Sequence, residues 1–169
     1  MELFTSLLDE ALESWQGVRE GLIREAENIP ANKFDFKIAP ESRSVAGLIQ
    51  HVLEVASMMT GELTRPDTNF HREPWPELLA RYAAPVRKAK TKSQLINLLR
   101  ISQEEGQRRF VKCGEIFMLQ LITRFDGGQG TRLAWLHHGI GHEMYHTGQL
   151  TAYTRVLGRV PALTQIIGG

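Results

Sequence analysis

The sequence has few of the features that mark secreted and membrane proteins. Its single cysteine, Cys113, excludes a framework of internal disulfides and agrees with a reducing compartment. It has no charge-free apolar run of the ~20 residues that a membrane-spanning helix needs. Its first residues mix acidic with apolar side chains, unlike a signal peptide. These absences predict a cytoplasmic protein that does not associate with a membrane.

Net charge is also nearly absent, at +1, so nothing draws the whole chain to nucleic acid or to anionic lipid. A segment at 78–103 contains six basic residues and no acid, but neither an aromatic ladder nor a recognised binding motif accompanies it. We interpret it as solvated surface and expect no nucleic-acid partner. Apolar residues make up 42% of the chain and charged residues 23%, which is typical of a globular protein, and we expect one domain over 1–169.

Helical periodicity is present in most of the chain. It predicts long amphipathic helices at 2–28, 44–63, 91–112 and 131–157. Capping signals support these bounds, since Ser44 can begin the second helix, a Thr-Lys-Ser-Gln capping box the third, and Gly158 can end the fourth. The pattern predicts an all-α protein, a four-helix bundle with long connections between its helices.

Two connections are harder to interpret. The segment 66–90 has four prolines and predicts an irregular chain with one short helix near 77–83. The segment 113–130 begins with an apolar stretch that fits either a strand or a helical turn, and it ends in a glycine-rich loop.

Histidines occupy one face of the last predicted helix. At about 100° per residue, His138, His142 and His146 share that face with Trp135, Gln149 and Tyr153. Imidazoles at i and i+4 project from adjacent turns, so His142 and His146 are candidate ligands of one metal ion.

The candidate third ligand is His51, which borders the apolar stripe of the second helix. Three neutral imidazoles leave coordination positions free for water or substrate, as in a catalytic metal site. His138 is a candidate for a direct ligand or a neighbour of the ligands. Gln149 and Tyr153 are candidates for orienting the bound molecule or hydrogen-bonding a histidine, and ordinary helix packing is the alternative for both.

Residues 142–146 read His-Glu-Met-Tyr-His, a literal match to the zinc-peptidase motif in which the glutamate is the general base. The 23 residues after His146 contain no Asp, Glu or His, so the downstream third ligand of the peptidases is missing. We therefore predict that the protein is not a peptidase. Glu143 is expected at the surface or next to the ligands.

The segments SVAGLIQHVLEV and HEMYHTGQLTAYTRVLGRVP resemble the DinB/YfiT-like superfamily of metal-dependent enzymes, and the resemblance extends over almost the whole chain. It implies a four-helix bundle, often a homodimer, with one divalent ion held by His51, His142 and His146. Zinc and nickel are the metals most expected, while iron, manganese and cobalt also suit three imidazoles. Thr147 departs from the pattern, since many relatives have arginine there.

Three functions follow from this resemblance and from the residues. Where activity is known in the family, it tends to be metal-assisted thiol chemistry, as in the bacillithiol transferases and the mycothiol-dependent isomerase. Transfer of a low-molecular-weight thiol to a small-molecule electrophile is therefore the first hypothesis. A non-catalytic metal or small-molecule binding module of a stress response is the second. A metal-dependent hydrolase is the third, and it needs a general base, for which the second helix offers only Glu54 and Glu62.

Overall fold

The computed structural model describes residues 5–168, and over that span the chain is mainly helical. Its helices are α1 Leu7–Asn28, α2 Val45–Leu63, α3 Trp75–Lys88, α4 Lys92–Cys113, α5 Glu115–Met118, α6 Arg132–Val156 and α7 Ala162–Ile167. A 3₁₀ turn at Ala31–Lys33 and the short strands β1 Leu121–Thr123 and β2 Gln129–Thr131 lie between them.

The four long helices form the predicted bundle. Helices α1 and α2 each pack against both α4 and α6, so that each long helix has two neighbours among the other three, and the apolar stripes meet in the centre. Helix α3 packs on the outer side of α2. The all-α fold class is therefore confirmed. Within residues 5–168, no helix combines the length and the apolar character that crossing a lipid bilayer requires.

Side-chain caps set the helix starts. The hydroxyls of Ser6, Ser44, Thr91 and Thr131 each accept a hydrogen bond from the backbone N–H three residues further on. Thr91 also forms the predicted capping box with Gln94. The first helix begins at Leu7 rather than at residue 2, because Ser6 caps it, and the start of the predicted range lies outside the described residues.

The connection at 66–90 is more regular than its prolines predict. Helix α3 extends over Trp75–Lys88, well beyond the short helix expected at 77–83. Pro76 lies in the first turn, where a missing N–H costs little, and only Pro85 interrupts the helix interior. Close packing on α2 compensates for that interruption: a Cβ at Gly61 would lie 2.1 Å from the Tyr82 ring, so only glycine admits α3 at this distance.

The segment 113–130 contains both structures that its sequence left open. It begins with the short helix α5 and continues into an antiparallel hairpin of β1 and β2. The turn of the hairpin includes Gly127 at φ 79°, a conformation that favours glycine. Backbone hydrogen bonds of 2.8 Å join Thr123 to Thr68 and Phe70, which fixes the preceding loop against the hairpin.

Candidate metal centre

Three histidines converge where α2 and α6 pack together. Nε2 of His142 lies 3.2 Å from Nε2 of His51 and 3.1 Å from Nε2 of His146. One candidate ligand atom from each of the three residues lies within 4.8 Å of the other two. The fold thus brings together the three residues that helix geometry and the family resemblance single out, although 91 positions separate His51 from His142.

These separations fit the coordination sphere of a divalent ion. Two imidazole nitrogens at 2.0–2.1 Å from zinc are about 2.9 Å apart at a right angle and about 3.4 Å apart at the tetrahedral angle. The observed distances of 3.1 and 3.2 Å lie between those limits. The donor set and its spacing therefore suit zinc or a similar ion.

Gln149 determines which nitrogen of His146 is free. Nδ1 of His146 lies 2.7 Å from Oε1 of Gln149, and an amide oxygen can only accept, so the proton is on Nδ1. The lone pair of Nε2 then faces His142. A partner on the outer nitrogen commonly orients a metal-binding histidine in this way. Among the described residues, the buried Nδ1 of His142 has no such hydrogen-bond partner.

The histidines are held in the neutral form that binds metal. Burial, the nearby Arg43 cation and the neighbouring imidazoles lower the pKa of His51 to about 4. Burial, His146 and Arg43 lower the pKa of His142 to about 4. Burial also lowers the pKa of His146, and its hydrogen bond to Gln149 partly opposes that effect. At neutral pH all three lone pairs are therefore available.

The remaining candidates on this face lie outside the cluster. His138 is exposed and its ring packs on Trp135, with 4.6 Å between the ring centroids. Tyr153 is buried, and its hydroxyl donates to the backbone carbonyl of Arg43 at 2.6 Å. That hydrogen bond ties the last turns of α6 to the residue that precedes the cap of α2. Tyr145 is 64% exposed and packs edge-on against His146.

Glu143 lies in the protein interior, so the expectation of a surface position is wrong. Its carboxylate is 2% exposed and accepts hydrogen bonds from Trp15 Nε1 at 2.9 Å and from Arg19 at 2.6 and 2.8 Å. Arg19 also donates to the carbonyl of Leu99 and to Ser102, so the pair connects α1, α4 and α6. A carboxylate bound in this way is not free to act as the general base of a peptidase.

The sequence patterns did not single out two residues at these sites. Arg19 follows Trp15 by four positions within the apolar stripe of α1, and a charge on such a stripe was the available signal of a buried ion pair. Arg43 stands before the cap of α2, outside any periodic pattern, and nothing local marks it.

Two shallow cavities flank the histidines. One of about 360 Å³ is lined by Arg43, Gln149 and Tyr153 among others, and one of about 540 Å³ is lined by His138, His142 and Tyr145 among others. Several basic residues of 78–103 contact other groups: Arg81 pairs with Glu73, and Arg100 with Glu27. Arg43, which lies outside that segment, lines the smaller of the two cavities together with Gln149, the residue that contacts His146.

Comparison with known proteins agrees with this architecture. A model of the DinB family matches residues 1–167. YjoA, a DinB-like protein of Bacillus subtilis, superposes with a TM-score of 0.68 at 21% identity, covering 89% of this chain and 93% of its own. YfiT of the same organism, described as a probable metal-dependent hydrolase with an unusual four-helix bundle topology, gives 0.72 at 14% identity, covering 94% and 91%.

A thiol-dependent enzyme shares the fold over part of its length. The mycothiol-dependent maleylpyruvate isomerase superposes with a TM-score of 0.65 at 17% identity, covering 86% of this chain and 61% of its own. No curated protein sequence matches. At these identities the structural likenesses establish the four-helix fold alone. The family model extends over nearly every residue, and on that evidence the chain belongs to the DinB family.

Proposed function

We propose that the protein binds one divalent metal ion, zinc or nickel, through His51, His142 and His146 and transfers a low-molecular-weight thiol to a small electrophilic molecule. The convergence of three Nε2 atoms, without a carboxylate in the group formed by the described residues, is the observation that carries this proposal. A divalent cation held there lowers the pKa of a thiol that coordinates it, so that the sulfur reacts as a thiolate at neutral pH.

The protein side chains supply orientation and access. Gln149 holds the His146 ring with its Nε2 lone pair directed at the cluster, and burial keeps the imidazoles unprotonated. The two flanking cavities give room for a thiol and for an electrophile on either side. In the transfer a carbon–sulfur bond forms, the leaving group departs with its electron pair, and the thiol proton passes to solvent.

Hydrolysis is the competing proposal, because YfiT is described as a probable metal-dependent hydrolase. Activation of water favours a nearby base. Three acids that the sequence offers for that role have basic or hydroxyl partners. Glu143 is bound to Arg19, Glu62 to Arg72 and Tyr82, and Glu54 lies 3.8 Å from Arg87. Thiol transfer requires no such base, which is why we favour it.

Metal content and turnover test the proposal. Purified protein should contain about one ion per chain, and His51→Ala should lose it. His137→Ala is the matched control, since His137 is an exposed histidine of α6. The loaded protein should then consume a thiol together with 1-chloro-2,4-dinitrobenzene, across bacillithiol, mycothiol, coenzyme A and cysteine.

The other hypotheses give different results in the same assays. Metal-dependent cleavage of esters without thiol consumption would favour the hydrolase. Stoichiometric metal without turnover of any thiol or ester would favour a binding module. Unchanged metal content in His51→Ala would contradict the metal site itself.

We also propose a cytoplasmic homodimer. The single Cys113 supports a reducing compartment. Exposed apolar side chains support an interface, because Met144, Leu163 and Ile166 line a cavity of about 610 Å³ on the surface of α1, α6 and α7. Light scattering should give twice the 19.1 kDa mass of one chain, and the monomer mass would contradict the proposal.

A further inference from the structure

One cation near the histidine cluster, Arg43, has no acidic partner among the described residues. Arg43 is exposed and precedes Ser44, the cap of α2. Within residues 5–168, no carboxylate comes within ion-pair distance of its guanidinium, whereas nine other arginines have acidic partners within 4.0 Å. An arginine without an acidic partner beside a metal site is available to a ligand.

The backbone holds Arg43 at this place. Its carbonyl accepts the hydrogen bond from the buried Tyr153 hydroxyl of α6 at 2.6 Å. Arg43 and the His146-bound Gln149 line the same cavity of about 360 Å³. A molecule in that cavity would contact both the cation and a residue that touches the cluster.

The charges of the site favour a ligand with two negative groups, one bound by the metal ion and one by Arg43. Three neutral imidazoles leave a divalent ion with its full double charge, and Arg43 adds a third positive charge nearby. Glu41 also lines the cavity and is its acidic member, but it is exposed. The planar guanidinium donates two parallel hydrogen bonds to a carboxylate, a match that a lysine cannot make.

We propose that Arg43 sets the substrate class: it binds the carboxylate of a mercaptocarboxylate, a molecule with separate thiol and carboxylate groups, whose sulfur lies at the histidine cluster. This inference rests on the proposed function, because it places the thiol sulfur at His51, His142 and His146. Arg43 is here a specificity-determining residue. It contacts the far end of the thiol and takes no part in the bond changes.

Two probes that differ in one group test this assignment. The zinc-loaded protein is titrated by calorimetry with 3-mercaptopropionate and with 3-mercapto-1-propanol, which share a thiol and a three-carbon chain. Arg43→Gln should weaken 3-mercaptopropionate binding about tenfold, as expected for a charge-assisted hydrogen bond, and should leave 3-mercapto-1-propanol within about twofold. Comparison of each probe between the two proteins cancels the intrinsic difference between the thiols.

Control variants separate this effect from general electrostatics. Arg155→Gln removes another exposed arginine of α6 and should change neither affinity. Arg43→Lys should recover only part of the loss, because it restores the charge without the planar fork. Glu41→Gln should strengthen 3-mercaptopropionate binding. All variants should keep one zinc per chain, which shows that the cluster is intact.

The outcomes distinguish the two proposals. If wild-type protein holds zinc and binds both thiols, but Arg43→Gln weakens both equally or neither, the role of Arg43 is overturned and thiol binding stands. If zinc-loaded wild-type protein binds neither thiol, the thiol function falls and the role of Arg43 falls with it.

Discussion

The two faces of α6 place adjacent residues in opposite environments. His142 lies in the partly exposed cluster against α2, where neutral imidazoles converge. Glu143, the next residue, lies in the interior against α1, paired with Arg19 and hydrogen-bonded to Trp15. A helical step of about 100° therefore separates a candidate metal site from a structural ion pair. Matching letters to a motif cannot tell the two roles apart, whereas the packing of the helix can.

The largest expected effect comes from removing a candidate metal ligand from the first face of α6. His142→Ala should reduce bound metal from about one ion per chain to less than about a tenth, because two imidazoles hold a divalent ion poorly. The metal-free variant should unfold within about 1 kcal/mol of metal-free wild type, since the side chain is partly exposed. Metal analysis and urea titration measure the two quantities. Retention of the ion would contradict the assignment of His142 as a metal ligand.

Removing the carboxylate from the second face should lower stability and leave metal binding intact, the reverse of the result expected for His142→Ala. Glu143→Ala leaves Arg19 buried without its partner and should lower the free energy of unfolding by about 3–5 kcal/mol. Metal binding by the folded fraction should persist. Urea titration with metal analysis at low temperature measures this. Loss of metal without loss of stability would show that Glu143 serves the cluster instead.

A double variant and a conservative variant sharpen the same contrast. Replacing the pair together, as Arg19→Met with Glu143→Met, should recover part of the lost stability, because no unpaired charge remains in the interior. Glu143→Gln should leave thiol transfer nearly unchanged. A peptidase-like general base would instead lose about 10²–10⁴-fold in rate. A double variant no more stable than the single one would contradict the ion-pair interpretation.

A smaller effect is expected from the residue that orients the cluster. Gln149→Leu removes the acceptor for His146 Nδ1 and should weaken metal affinity about 10–100-fold without abolishing it. Competition with a chromophoric chelator measures the affinity. Gln149→Glu retains an acceptor and is the matched control, which should bind as well as wild type. Equal affinity in the leucine variant would show that the hydrogen bond is incidental.

The smallest expected effect is a change in the pH dependence of stability. His51 and His142 have a pKa of about 4 in the folded protein and about 6.5 unfolded. Between these values the unfolded chain binds more protons, so the stability of the metal-free protein falls as pH falls from about 6.5 to about 4. His51→Gln should make this slope shallower, as measured by urea titration at several pH values. An unchanged slope would contradict the depressed pKa.

The contrast between the faces also separates what the sequence predicts from what it does not. The periodicity and caps that define the long helices are local, so Ser44 and the capping box at Thr91 could be interpreted directly. The metal-site candidates combine such local spacing, at His142 and His146, with a known family pattern for His51. Both kinds of information are present in one chain.

The errors arise from contacts between distant residues. The length of α3 depends on how Tyr82 packs over Gly61 on another helix, and counting prolines takes no account of this contact. Helical angles place Glu143 away from the histidines, but its partner Arg19 is 124 residues away. Whether a residue facing away from a site meets solvent or another helix depends on the arrangement of the bundle.

The long chain segment between His51 and His142 has a mechanical consequence. An ion shared by these residues joins α2 to α6 and closes a loop across 91 positions, which makes it a reversible cross-link between early and late parts of the chain. Because such an ion binds the folded state alone, it adds stability in proportion to the logarithm of its concentration. Amide hydrogen exchange in α2 and α6 should then slow when zinc is added, because the ion raises the free energy of local opening of these two helices. The frequency of that opening would therefore depend on the zinc concentration around the protein.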